Sequence, residues 1–238
     1  MPITYDDIKY KLQSPLDCSE IKDLRGRYFH NRLITNYDNT DFTGCVLFHC
    51  FPSGIENALD INPAQSEEDV SLKGANLHGA YFLGANLEGA NLAGANLKGA
   101  YFYRANFEGA NLEGANLSEV ILWDINFEGA KLQGANLEGA NLENANLKDA
   151  NLEGANLENA SFERTNLEGA SLYGASLEWA NLEKANLQGA NLEKANLKWA
   201  DLQGASLAKA KYNSETNFTS SNITQEQLDP MVFIEDED

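Results

Sequence analysis

The chain has 238 residues, 36 of them acidic and 17 basic, for a formal net charge of −19, with 3 cysteines and 3 histidines. That is the size of one domain, 43% hydrophobic residues suffice for a core, and no run of about 18 apolar residues is present to span a membrane. Binding nucleic-acid backbone takes a basic surface that displaces counterions, so direct nucleic-acid binding is not expected, although an acidic surface that mimics nucleic acid stays open.

The opening residues, MPITYDDIKYKL, lack the basic and apolar regions of a secretory signal. Three cysteines cannot all pair within one chain, so a reducing cytoplasm is the expected compartment. Residues 1–34 are predicted to form an N-terminal helical cap: Thr4 is placed to cap a helix with Asp7 three residues on, and Ile8 and Leu12 share one face. Divergent five-residue repeats follow over 35–50. There Tyr37, Phe42 and Leu47 keep one phase, and Thr35, Thr40, Cys45 and Cys50 take a small inward position. Cys45 and Cys50 therefore read as small core residues rather than metal ligands or a disulfide. Residues 51–69 lose the pattern and carry Pro52, Pro63 and Glu67-Glu68-Asp69, yet the phase resumes at Val70, which reads as an excursion loop.

From Val70 to Lys209 the chain is 28 consecutive five-residue units with Leu or Phe at every centre, from Leu72, Leu77 and Phe82 through to Leu207. Almost every unit opens with Ala, followed by Asn, Ser or Asp. On an α-helix each unit would advance roughly 140° beyond a full turn and scatter the leucines. On a flat strand an odd period would send successive leucines to opposite faces. The pattern becomes coherent if each unit is a short extended piece ending in a corner, where Gly and Asn tolerate unusual backbone angles. Four corners close a square coil of 20 residues, and bulky residues do recur at that lag: Tyr81-Phe82-Leu83, Tyr101-Phe102-Tyr103 and Ile121-Leu122-Trp123; Phe107 with Phe127; Trp179 with Trp199. Coils stacked about 4.8 Å apart would make seven coils and a rod of roughly 34 Å.

The repeated Ala-(Asn/Asp)-Leu pattern resembles that of the pentapeptide-repeat proteins, over about 140 of the 238 residues. The resemblance implies an all-β solenoid, a right-handed quadrilateral β-helix with four repeats per coil, here with short helical caps at the ends. Members include inhibitors of DNA gyrase that resemble DNA in shape and charge, and many proteins of unknown role. The repeat domain is predicted to run over 70–223, with a one-residue slip near Tyr212-Asn213 and Thr216-Asn217-Phe218. Residues 224–238 are read as a C-terminal capping helix, with Thr224 and Gln227 at capping-box spacing, and an acidic tail.

No catalytic constellation is visible. His30, His49 and His78 are isolated, no CxxC or HExxH occurs, and the glycines follow the repeat rather than a phosphate loop. No enzyme activity, cofactor or metal is expected.

Two surface features stand out. Dealt onto four faces, the outward positions place Tyr81, Leu83, Tyr101, Tyr103, Ile121 and Trp123 together on three adjacent coils, and Trp179 with Trp199 near a corner. Such a patch marks an interface or is covered by the protein's own chain, residues 51–69 or the N-terminal helix. A protein partner of unknown identity is one expected occupant and a homodimer another. The second feature is the set of glutamate columns 88-108-128, 138-158-178 and 143-163-183. Yet residues 70–211 hold 17 acidic and 11 basic residues, so two thirds of the excess charge lies outside the rod. The leading expectation is a non-catalytic scaffold for protein–protein interaction, and the alternative is an acidic DNA mimic that binds an enzyme such as gyrase.

Overall fold

The computed structural model describes residues 28–30, 46–48, 71–83, 85–102 and 105–235. The first two segments are described through their backbone alone. Each repeat is a short extended piece paired in parallel with the pieces one coil before and one coil after it, as in Asn116↔Asn136↔Asn156. Leu137 N–H donates to Asn156 O at 2.7 Å, and Asn136 N–H donates to Ala115 O at 2.9 Å. The unit then closes on itself through Ala140 N–H to Leu137 O at 3.0 Å. The fourth residue after each Ala sits in the left-handed region, 15 times as glycine, for example Gly154 at φ 63°. A positive φ at that one residue turns the chain without breaking the ladder, which explains the glycine preference. The bridges run at a lag of 20, so the 25-residue coincidence of Phe82 with Phe107 belongs to neighbouring sides of the core.

The alanines and leucines of every described repeat are buried, most at 0–1% exposure. They form one continuous column into which Phe82, Phe102, Phe107 and Phe127 insert with successive ring centroids 4.7, 5.1 and 4.9 Å apart. Where Thr165 replaces the usual alanine, its hydroxyl is fully buried and donates to Leu142 O at 2.6 Å. A buried hydroxyl without that acceptor would cost free energy, so the substitution is tolerated only because the preceding coil supplies a carbonyl.

Strands β1 (Tyr28–His30), β2 (Val46–Phe48) and β3 (Tyr81–Leu83) form a parallel sheet in that order. Its register aligns Phe29, Leu47 and Phe82. Leu47, read from the sequence as a repeat centre, thus lies in line with a buried core phenylalanine. The ladder also reaches further back than Thr35. Within 1–34, expected as a helical cap, the described residues Tyr28–His30 are strand, and their aromatic composition suits a pleated position. The expected N-terminal helix, most of the 35–50 repeats and the 51–69 loop lie outside the described residues, as do 236–238. The chain uses 35 residues to pass from Val46 to Tyr81, one step of a ladder that elsewhere takes 20.

At the far end the register slips by one residue, from Asn191↔Lys211 to Asn196↔Asn217. Strand β4 (Lys211–Tyr212) is followed by the one-turn helix α1 (Gln225–Leu228) and by β5 (Val232–Phe233), which pairs in parallel with β4. Thr224 and Gln227 form the expected reciprocal capping box. Beyond that expectation, Gln227 Nε2 donates to Leu202 O and Ala205 O, at 2.7 and 3.0 Å, satisfying carbonyls that the last coil would otherwise leave open. The segment after α1 is therefore strand as well as tail.

Candidate interaction surfaces

Because each unit places Ala and Leu inward, the residues on either side of Leu face out. On one side of the rod the residue before the centre is Tyr101, Ile121, Asn141, Ser161, Asn181 and Asp201 in successive coils, and the residue after it is Trp123, Glu143, Glu163, Glu183 and Gln203 from the third coil on. The apolar stripe ends at Asn141 and Glu143. Tyr101, Ile121 and Trp123 are 45, 55 and 50% exposed, so large apolar area faces solvent on adjacent coils. Leu122 between them is fully buried, which shows the alternation at work. Tyr81 and Leu83 lie in β3 on the same side by register. Tyr103 lies outside the described residues.

The parallel sheet carries this stripe beyond what sequence reasoning found. Tyr28 pairs with Val46 and Val46 with Tyr81, while His30 aligns with Phe48 and Phe48 with Leu83. The signal was present as Tyr-Phe-His and Val-Leu-Phe, each shaped like Tyr81-Phe82-Leu83. It was obscured because the intervals from Tyr28 to Val46 and from Val46 to Tyr81 are not 20 residues.

Trp179 and Trp199 sit at a corner, not on a flat side. Both occupy the left-handed backbone region, at φ 63° and 62°, where a bulky L-residue is an outlier. Their rings stack with centroids 5.0 Å apart and planes 6° from parallel. They are 55 and 42% exposed.

The glutamate columns occupy three sides as expected, and neighbouring coils hold many of their charges. Asn126 and Asn146 donate Nδ2 to Glu108 and Glu128, at 3.2 and 3.0 Å. Arg164 bridges Glu143 and Glu163, Lys184 pairs with Glu183, and Lys198 lies 3.4 Å from Glu178. On two opposite sides, asparagines form ladders in which each Nδ2 donates to the Oδ1 one coil earlier, from Asn106 to Asn186 and from Asn96 to Asn156. Near the end, Lys194 bonds Glu215 at 2.9 Å and lies over the Tyr173 ring, and the Glu215 carboxylate holds its ammonium above the ordinary lysine range. Among the described residues no three His, Cys, Asp or Glu side chains converge as metal ligands, and no helix is long and apolar enough to cross a membrane.

The family described as Pentapeptide repeats matches in eight copies over residues 71–109, 110–149, 145–183 and 180–211, more than half of the chain. Among solved structures, HetL, a pentapeptide repeat protein involved in heterocyst differentiation regulation in the cyanobacterium Nostoc sp. strain PCC 7120, is 29% identical. The likeness covers 84% of each chain at a TM-score of 0.56. QnrB1, a plasmid-mediated fluoroquinolone resistance protein, is 18% identical over 90% of this chain and 89% of its own, with a TM-score of 0.55, and at that identity shows the fold alone. No match was found among curated proteins. The matched repeats, the 20-residue parallel ladder and the four-sided coil agree: the chain belongs to the pentapeptide-repeat family, and its rod is a right-handed quadrilateral β-helix.

Proposed function

We propose that the protein is a non-catalytic scaffold of the cytoplasm that binds a protein partner through the apolar side carrying Tyr81, Leu83, Tyr101, Tyr103, Ile121 and Trp123. One observation carries this reading: Ile121 and Trp123 are half exposed beside Tyr101 on a side that turns polar from Asn141 and Glu143 onward. A rod whose ladder is complete without these side chains has no folding use for them outside, and contiguous exposed apolar area of this kind marks binding surfaces. The likeness to HetL, a protein of developmental regulation, supports a regulatory reading over a catalytic one.

Affinity capture from native lysate with the full chain and with an Ile121→Glu, Trp123→Glu double variant tests it. A specific partner should be lost from the variant while its melting is unchanged. Retention of the same partner by the variant sinks the proposal, and light scattering separates a hetero-partner from a second copy of the chain.

An acidic decoy for a DNA-binding enzyme is the second reading. Against it, the repeat region 70–211 carries a net charge of only −6, and much of its acid is tied to Asn, Lys and Arg of adjacent coils. Salt-sensitive inhibition of gyrase supercoiling by excess protein would establish it instead.

A further inference from the structure

The Trp179–Trp199 corner carries an inference that does not rest on the apolar side. The two tryptophans hold the backbone angle that glycine holds in the same column at Gly79, Gly99 and Gly139. A left-handed conformation costs an L-residue about 1–2 kcal/mol, and stacking of two rings returns about 0.5–1.5 kcal/mol. The fold therefore gains little from them, and glycine at the same corners serves it at least as well.

Their geometry suits a particular ligand. Successive coils lie about 4.8 Å apart, the ring centroids are 5.0 Å apart and the rings are nearly parallel, so the ring planes lie roughly across the rod axis. The outer surface of Trp179 then faces the level of the preceding coil, where the same column holds the small, exposed Asn159. That level has space for one more planar group. Beside it is Glu158, half buried, whose Oε1 accepts a bond from the neutral Ser176 hydroxyl at 2.9 Å and has no ion pair among those of the described residues. The next acid along that column, Glu138, also has none. The other outer surface, that of Trp199, adjoins the Lys198–Glu178 pair and is already supplied with a cation. A negative, open aromatic surface with an uncompensated carboxylate at its rim is complementary to a flat cation. Guanidinium is planar, weakly hydrated and stacks on indole, which ammonium does less well.

We propose that this corner docks an arginine side chain of a partner polypeptide, the guanidinium lying on Trp179 at the level of Asn159 with Glu158 as counter-ion. The test titrates the ¹⁵N-labelled full chain with acetyl-Gly-Arg-Gly-Arg-Gly-Arg-Gly-amide, following the three indole N–H signals assigned by single variants. The Trp179 signal should move most. Trp179→Gly, which installs the residue native to this corner elsewhere, should keep its melting temperature and weaken binding at least about fivefold. Glu158→Gln should weaken it about threefold. The peptide with citrulline in place of arginine, the same shape without charge, should bind no better than Trp179→Gly does to the arginine peptide. The Ile121→Glu, Trp123→Glu variant should bind the peptide like the unmodified chain, so failure of the apolar-side reading leaves this result intact. No binding of the arginine peptide, equal binding of the citrulline peptide, or an affinity unchanged by both Trp179→Gly and Glu158→Gln would overturn the assignment.

Discussion

The two kinds of outward asparagine give the most discriminating stability test. Asn141 and Asn146 occupy equivalent positions in successive repeats and are half buried alike. Asn141 makes one reported bond type, accepting from Glu143 N–H at 2.9 Å within its own turn. Asn146 makes the matching turn bond to Lys148 N–H at 3.2 Å and also belongs to a ladder. Its Nδ2 donates to Asn126 Oδ1 at 3.1 Å and Glu128 Oε2 at 3.0 Å, and its Oδ1 accepts from Asn166 Nδ2 at 3.1 Å. A net contribution of about 0.5–1.5 kcal/mol per bond applies to well-shielded bonds, and water at a half-buried site replaces part of it, so the lower end is used. Asn141→Ala should then cost about 0.5–1 kcal/mol and Asn146→Ala about 2 kcal/mol. For a chain of this size the difference corresponds to roughly 3–5 °C in melting temperature. Urea titration followed by far-ultraviolet circular dichroism measures it as a shift in midpoint at constant slope. Equal costs for the two variants would refute the idea that the ladders add stability beyond the turns.

Three further predictions concern the core, the corners and the cap. Leu137 is fully buried among apolar side chains, so Leu137→Lys, which removes the packing of a leucine worth about 2–5 kcal/mol and inserts a charge without a partner, should abolish soluble expression; a soluble variant with unchanged melting contradicts the inward assignment. Gly154→Ala isolates the backbone cost, because a Cβ there meets nothing within 4 Å while φ is +63°; the expected loss is about 1 kcal/mol by urea titration, and no loss would show that the corner does not need glycine. Gln227→Ala removes half the capping box and uncovers Leu202 O and Ala205 O, so amide exchange in the last coil should quicken by about tenfold, consistent with roughly 1–2 kcal/mol; unchanged exchange would mean that α1 does not close the rod.

The rod was legible because a five-residue period is incompatible with straight helix and flat strand alike, which leaves a cornered coil. Leu137 could be placed inside and Trp123 outside from that argument alone. The Thr224–Gln227 spacing likewise identified the cap. Other features had no periodic mark. The ladder's start at Tyr28 was hidden because its spacing to Val46 departs from 20 residues. Strand β5 was hidden because Val232-Phe233 is too short to alternate visibly. That Trp179 and Trp199 stack followed from the 20-residue lag, whereas their left-handed backbone emerges only from coordinates. The asparagine ladders depend on which neighbour each amide reaches, a choice that identical Asn residues on different sides make differently.

The account turns on whether the apolar side is open to a partner in the isolated protein. Hydroxyl-radical footprinting of the native full chain, read by mass spectrometry residue by residue, tests this most directly. Trp123 should oxidise as fast as Trp179, with Phe127 and Phe162 protected, since both phenylalanines are fully buried. Protection of Trp123 to the level of Phe127 in the monomer would mean that the chain covers its own apolar side and would contradict the proposed scaffold.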